Sequence, residues 1–138
     1  MSTEENKALV RQYFEEVWNQ RNLQALGAYV TDDVRDYAGN PDPTPGHGSV
    51  IAHHQAVFSR LSDFHIELED LIAEGDTVVA FWTSHGTDVA TGKPLSGVRA
   101  ISRLRVVGGK VAEYRVLADY ASIQRQLADV PAARAPGR

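Results

Sequence analysis

Two stretches near the C-terminus constrain the fold of this chain more than any other feature. Residues 99–107 and 111–118 both alternate apolar and polar side chains, and Gly108-Gly109-Lys110 separates them. Such alternation is typical of half-buried strands, and a short glycine-rich connection is typical of a β-hairpin. The pattern therefore predicts an antiparallel hairpin with one face in the core, followed by a helix over residues 119–129.

The hairpin also predicts which side chains share a face. A three-residue loop would place Val107 opposite Val111, and therefore Ser102 opposite Val116. Because successive strand residues point to opposite faces, the neighbours of Ser102 and Val116 on their face are mainly apolar: Val98, Ala100, Leu104, Ala112, Tyr114 and Ala118. We interpret this face as the wall of a pocket. The other face is rich in arginine, and we interpret it as a solvated face or a subunit interface.

The remainder of the chain predicts helices before a run of strands. Apolar residues recur at helical spacing from Leu9 to Trp18 and in a short second segment. The elements that follow are an extended piece (31–37), a loop rich in proline and glycine (38–48), a helix (about 48–61) and two strands (64–72 and 77–87). Helices gathered on one side of a curved antiparallel sheet predict an α+β class, as a cone-shaped barrel around one pocket.

Composition limits the organisation and the partners of the protein. With 138 residues, 43% of them hydrophobic, we predict one domain over residues 1–130 and a disordered tail over residues 131–138. The net charge of −4 and the lack of a basic stripe argue against nucleic acid as a partner. The polar N-terminus lacks the apolar core of a signal peptide, and no apolar run of about 18 residues could span a membrane. We therefore expect a cytoplasmic protein.

Cysteine and histidine usage bears on cofactors. The chain has no cysteine, which excludes a disulfide framework, a thiolate nucleophile and a cysteine-ligated metal. Consecutive His53 and His54 point about 100° apart on a helix and cannot chelate one metal together. The sequence gives no metal site, and we expect no cofactor held by the protein.

Four further segments carry a family resemblance. Residues 6–19, 69–76 and 109–113, with Asp119 and Arg125–Leu127, resemble the SnoaL-like polyketide cyclases of the nuclear-transport-factor-two-like superfamily. The similarity spans roughly residues 5–128. It implies the cone fold, a homodimer, and an apolar aromatic or polycyclic small molecule of secondary metabolism, such as antibiotic biosynthesis, as the ligand.

The resemblance also locates a missing catalytic pair. At the positions of the cyclase His and Asp, this chain has Ser102 and Val116. Valine cannot accept a proton, and an unassisted serine is a poor base near neutral pH. The mechanism built on that pair therefore cannot be transferred. Ser102 could still donate a hydrogen bond to a substrate oxygen, or it could be a small polar filler.

Asp36 is the better candidate for an acid or base. It lies near the position at which the related ketosteroid isomerases keep their general base, and it shares a face with Val34. If Val34 is buried, Asp36 points inward, where an apolar pocket would raise its pKa into a useful range. The alternative is a solvated aspartate beside Arg35.

Other side chains complete the expected site. His54, on the inward face of the third helix, and His85, at the end of its strand, could shuttle protons or could be hydrogen-bonded structural residues. Trp18 could stack on a flat ligand or simply pack in the core. By resemblance and by face, the expected ligand-binding set is Trp18, Gln55, Phe58, Leu104, Tyr114 and Val116.

Three functions remain open from the sequence. The first is an enzyme that performs cyclisation, isomerisation, hydration or hydroxylation of a polyketide-type molecule by general acid–base chemistry. The second is a non-catalytic small-molecule binding module, and the third is an assembly role through the charged sheet face. Asp36 within hydrogen-bond reach of a histidine would favour an enzyme, whereas a pocket without a titratable group would favour a binder.

Overall fold

The helices precede the main strands, as the sequence predicts. In the computed structural model, which describes residues 2–128, helix α1 (Thr3–Tyr13) begins with a capping box between Ser2 and Glu5. The helix continues as a π-helical segment (Phe14–Asn19), and a 3₁₀ segment (Leu23–Ala28) follows. The remaining elements are β1 (Val30–Asp36), α2 (His47–Arg60), β2 (Leu61–Glu74), β3 (Thr77–Asp88), β4 (Pro94–Val107), β5 (Lys110–Ala118) and α3 (Tyr120–Leu127).

The five strands form one curved sheet in the order β1-β5-β4-β3-β2. Strands β2 to β5 are antiparallel neighbours, whereas β1 pairs with β5 in parallel. The α+β class, with N-terminal helices on one side of the sheet, is therefore confirmed. The sheet is mixed rather than purely antiparallel, because its edge strand β1 runs parallel to β5.

The C-terminal hairpin has the predicted pairing but not the predicted loop. Val107 pairs with Lys110, so the loop is the two residues Gly108 and Gly109, both with positive φ. A register shift between Arg105 and Val106 compensates for the shorter loop, and Ser102 still lies opposite Val116. The prediction of a three-residue loop was wrong, and the prediction of the inward-facing pair is confirmed.

The core lies between the helices and the concave sheet face. Among its completely buried side chains are Phe14, Leu26, Val78 and Leu104. Helix α3 lies against β4, and Asp119 caps it by accepting a hydrogen bond from the Ser122 amide. No helix within residues 2–128 is long and apolar enough to cross a membrane. The tail expected over residues 131–138 lies outside the described residues.

Candidate active site

An apolar cavity of about 270 Å³ lies between the concave sheet face, α2 and α3. Residues from the helices and from four strands contribute to its wall: Trp18, Ala38, Gly39, His53, Val57, Leu61, Phe64, Trp82, Ser84, Leu95, Val98, Ala100, Tyr114, Val116, Ala118, Tyr120 and Ile123. Most of these side chains are aliphatic or aromatic. Such a wall suits a small ligand with a flat apolar body, oriented by the few polar groups that it meets.

The main titratable group in this wall is His53, and a buried carboxylate holds it. His53 Nδ1 lies 2.8 Å from Asp36 Oδ2, and the Asp36 side chain is only 4% exposed. The other carboxylate oxygen of Asp36 accepts a hydrogen bond from the Ala38 amide at 3.0 Å. Asp36 itself does not line the cavity, so it acts on the cavity through His53.

Strand parity and the parallel pairing of β1 bring Asp36 to this place. Val34 and Asp36 are buried while Arg35 between them is exposed, which confirms the predicted inward face of this segment. Asp36 pairs with Tyr114 of β5, and the Tyr37 amide donates to the Tyr114 carbonyl oxygen at 2.8 Å. The carboxylate therefore reaches the site from the edge strand β1, beside strand β5, which contributes Tyr114 to the cavity wall.

The Asp36 contact defines the chemistry available at His53. When Nδ1–H of a neutral imidazole donates a hydrogen bond to a carboxylate oxygen, the free lone pair of the ring is on Nε2. No group among residues 2–128 hydrogen-bonds His53 Nε2. The His53 side chain is 23% exposed and lines the cavity, so this nitrogen can accept a proton from a ligand there.

For His54 the sequence left open a proton shuttle and a hydrogen-bonded structural residue, and the structure places it in the core as the latter. It is 1% exposed, its Nδ1 donates to the Val50 carbonyl oxygen, and its Nε2 accepts from the Tyr13 hydroxyl at 3.0 Å. Its ring also stacks on Trp18 with centroids 3.7 Å apart. Burial lowers the pKa of His54 to about 4, which keeps the imidazole neutral near pH 7. Both ring nitrogens are occupied, and His54 does not line the cavity.

Ser102 lies behind the cavity wall rather than in it. It is completely buried, accepts a hydrogen bond from Trp82 Nε1 at 2.8 Å and contacts the Tyr114 hydroxyl at 3.0 Å. Burial raises the pKa of Tyr114, and the nearby charge of Asp36 adds to this increase, while the Ser102 hydrogen bond opposes it. Tyr114 is therefore a neutral phenol, and its hydroxyl belongs to a side chain that lines the cavity.

Several predicted site residues lie elsewhere. His85 stacks on His65 with ring centroids 4.9 Å apart, and its Nε2 lies 2.8 Å from Glu67 Oε1, away from the cavity. Its position opposite His65 on the polar face of β2 explains this placement. The expected positions of three ligand-binding residues are also corrected: Gln55 is exposed on the outer side of α2, Phe58 packs on Trp18 behind the wall, and Leu104 is completely buried in the core.

Trp18, Tyr114 and Val116 do line the cavity, as expected. The residue that sequence reasoning missed is His53. We placed His54 on the inward face of α2, but the neighbouring stripe of this helix, with His53 and Val57, is the one that faces the cavity. The four-residue spacing of His53 and Val57 was the signal that could have identified it. No cluster of three or more metal-ligating side chains occurs among residues 2–128.

Helices over a curved five-stranded sheet, with an apolar cavity between them, place the chain in the α+β class with a cone-shaped fold. Within that class, the chain belongs to the SnoaL-like polyketide cyclase family, whose family model matches residues 8–127. A comparison with curated proteins finds no match.

Solved structures with similar folds come from several bacteria. A candidate SnoaL-like polyketide cyclase from Jannaschia sp. CCS1 has a TM-score of 0.83 at 18% identity, covering 91% of this chain and 93% of that one. TsrD from Streptomyces laurentii has a TM-score of 0.81 at 23% identity, with coverage of 93% and 98%. AclR from Streptomyces galilaeus, described as a candidate hydroxylase, has a TM-score of 0.77 at 22% identity, with coverage of 91% and 97%. At these identities the likeness shows the fold alone.

Proposed function

We propose that this protein is an enzyme that removes a proton from an activated carbon of an aromatic or polycyclic, polyketide-type molecule. The observation that carries the proposal is the 2.8 Å contact between Asp36 and His53, with His53 in the wall of an apolar cavity. A histidine oriented by a buried carboxylate is a common arrangement for a general base. The family membership supports the ligand class, as does the Jannaschia fold relative, which is described as a candidate SnoaL-like polyketide cyclase.

The proposed base, His53, belongs to helix α2. The positions at which the cyclases carry their His and Asp are on strands β4 and β5, where this chain has Ser102 and Val116. His53 Nε2 accepts the proton, and the Asp36 carboxylate stabilises the imidazolium that forms. His53 then returns the proton to another atom of the substrate, so no net acid or base is consumed. Proton abstraction of this kind starts both an intramolecular ring closure and a double-bond isomerisation. A histidine base in an apolar cavity therefore favours ring closure or isomerisation over hydration or hydroxylation of the same class of molecule.

The test uses a small probe because the natural substrate is unidentified. The bicyclic ketone 2-tetralone, whose carbonyl lies one carbon from a fused benzene ring, carries an acidic C–H between the two, and exchange of this hydrogen with deuterium in D₂O can be followed by NMR. We expect the wild-type protein to accelerate exchange above the buffer rate. His53→Gln should lower the protein-catalysed rate by about 10²-fold or more, which is the usual contribution of general base catalysis.

Asp36→Asn tests the carboxylate separately from the imidazole. An amide that donates to His53 Nδ1 would leave the proton on Nε2, so exchange should fall by a similar factor while the probe affinity changes less than about threefold. The matched control is His65→Gln, which removes an exposed histidine outside the cavity and should leave the rate unchanged. Full activity of Asp36→Asn would refute the proposed dyad.

A non-catalytic binding module is the second candidate, and the largely apolar wall of the cavity favours it. In that case, 2-tetralone would bind with a measurable Kd while the wild-type protein left its exchange rate at the buffer value. Val116→Phe, which fills part of the cavity, should abolish binding under either function and confirms that the probe occupies this cavity.

A further inference from the structure

The hydrogen bonds behind the cavity wall indicate a second functional group. Trp82 Nε1 can only donate, and it lies 2.8 Å from Ser102 Oγ, so the Ser102 oxygen accepts this bond. Ser102 has one proton of its own and is completely buried. Its remaining hydrogen-bond partner among residues 2–128 is the Tyr114 hydroxyl, at 3.0 Å.

The donor in the hydrogen bond between Ser102 and Tyr114 can be inferred by asking which arrangement leaves a buried proton without an acceptor. If Tyr114 donated to Ser102, the serine proton would be unsatisfied in the dry core, which is costly. If Ser102 donates to Tyr114, the proton in excess is that of the tyrosine, whose side chain lines the cavity and can meet a ligand or water there. Every buried proton therefore has an acceptor when Trp82 donates to Ser102 and Ser102 donates to Tyr114.

We propose that Tyr114 is a catalytic hydrogen-bond donor to the substrate oxygen, and that Ser102 and Trp82 are positioning residues that aim its hydroxyl. This inference rests on the proposed function and narrows its substrate class to ketones. The oxygen lies against Tyr114 and the adjacent C–H faces His53, whose ring centroid is 6.2 Å from that of Tyr114.

The two groups together account for the whole proton-transfer step. The C–H bond breaks, its proton goes to His53 Nε2, and its electron pair forms the carbon–carbon double bond of an enolate. The π electrons of the carbonyl move to the oxygen, and the Tyr114 hydroxyl stabilises the resulting oxyanion by donating to it. Burial of Tyr114 raises the pKa of this phenol, and the charge of Asp36, whose backbone pairs with that of Tyr114, adds to the increase, so the phenol keeps its proton for donation.

The experiment compares two probes of similar shape, 2-tetralone and the hydrocarbon tetralin, by calorimetric titration. The ratio of their affinities isolates the interaction with the ketone oxygen. In Tyr114→Phe this ratio should fall by about fivefold to tenfold, the value of one hydrogen bond, and in Ser102→Ala it should fall by a smaller factor. Tyr13→Phe, at a buried tyrosine outside the cavity wall, is the matched control and should preserve the ratio.

Infrared spectroscopy of bound 2-tetralone supplies a readout that a merely structural role of Ser102 would not change. The carbonyl stretch should lie at lower frequency in the wild type than in Tyr114→Phe, and Ser102→Ala should broaden it or move it between the two. An unchanged affinity ratio and an unchanged stretch in Tyr114→Phe would overturn the proposal, as would a wild type that binds neither probe.

These outcomes are distinguishable from failure of the proposed base. His53→Gln should lower the protein-catalysed exchange rate by about 10²-fold or more, yet leave the affinity ratio and the carbonyl stretch as in the wild type. A wild type without exchange activity, in which Tyr114→Phe still lowers the ratio, would refute the base and retain the donor.

Discussion

The consecutive residues His53 and His54 have different surroundings, since His53 lines the cavity and His54 is buried, and His54 predicts how stability depends on pH. His54 is neutral in the folded state because burial lowers its pKa from 6.5 to about 4. The proposed perturbation is His54→Gln, which removes the titration while its amide can still donate to the Val50 carbonyl oxygen and accept from the Tyr13 hydroxyl. The variant will be less stable overall, since it loses the stacking on Trp18.

The sign and the size of the effect follow from the two pKa values. The unfolded chain binds the His54 proton more tightly than the folded chain, so the stability contribution is complete above about pH 6.5 and is lost as the pH falls towards 4. A shift of this size corresponds to about 3 kcal/mol in total. Of this, about 2 kcal/mol should be lost between about pH 7 and about pH 5.

Urea denaturation followed by circular dichroism at several pH values between about 5 and 8 measures this slope. The wild type should lose about 2 kcal/mol more of its unfolding free energy over this range than His54→Gln does. The control His65→Gln should follow the wild-type curve, because His65 is exposed. Parallel curves for the wild type and His54→Gln would refute the assignment of a buried neutral imidazole at this position.

Two further predictions concern the far end of the sheet and its outer face. Hydrogen bonds from Thr91 and Arg60 lower the pKa of the buried Asp88 carboxyl, so its contribution to stability is present above its ordinary pKa and is lost as the pH falls through the folded value. Asp88→Asn should lower Tm at neutral pH and flatten the decrease of Tm in acid, measured by calorimetry; an undiminished decrease would contradict this. We expect a homodimer that buries Ile101 and Leu117, which are exposed on the outer sheet face, so Leu117→Glu should be monomeric in light scattering. A monomeric wild type would disprove the interface.

Patterns with a period of two were reliable guides from the sequence. Alternation in the hairpin correctly paired Ser102 with Val116, and alternation in β1 correctly placed Asp36 inside. These predictions depend only on which face a strand residue takes, and a buried face specifies that strongly.

Predictions that needed spatial information beyond one element were less successful. The parallel position of β1 depends on a contact with β5 that no local pattern encodes. On α2, one stripe is buried in the core and the adjacent stripe is half-buried at the cavity, so the sequence could not show that His53 rather than His54 lines the cavity. The bulge at Arg105 was hidden because its effect on register cancels that of the short loop.

The parallel pairing of β1 with β5 also has a consequence for the order in which the site is assembled. The hairpins among β2 to β5 close through short turns, but β1 must find a partner near the other end of the chain, across a much longer loop. Loop-closure entropy makes that contact the slower and more costly one to form. A chain that has folded its hairpins but not docked β1 would have the Tyr114 wall without the Asp36 carboxylate beside it. Acquisition of the complete site should therefore coincide with the last long-range step of folding, which makes activity a sensitive reporter of full native topology.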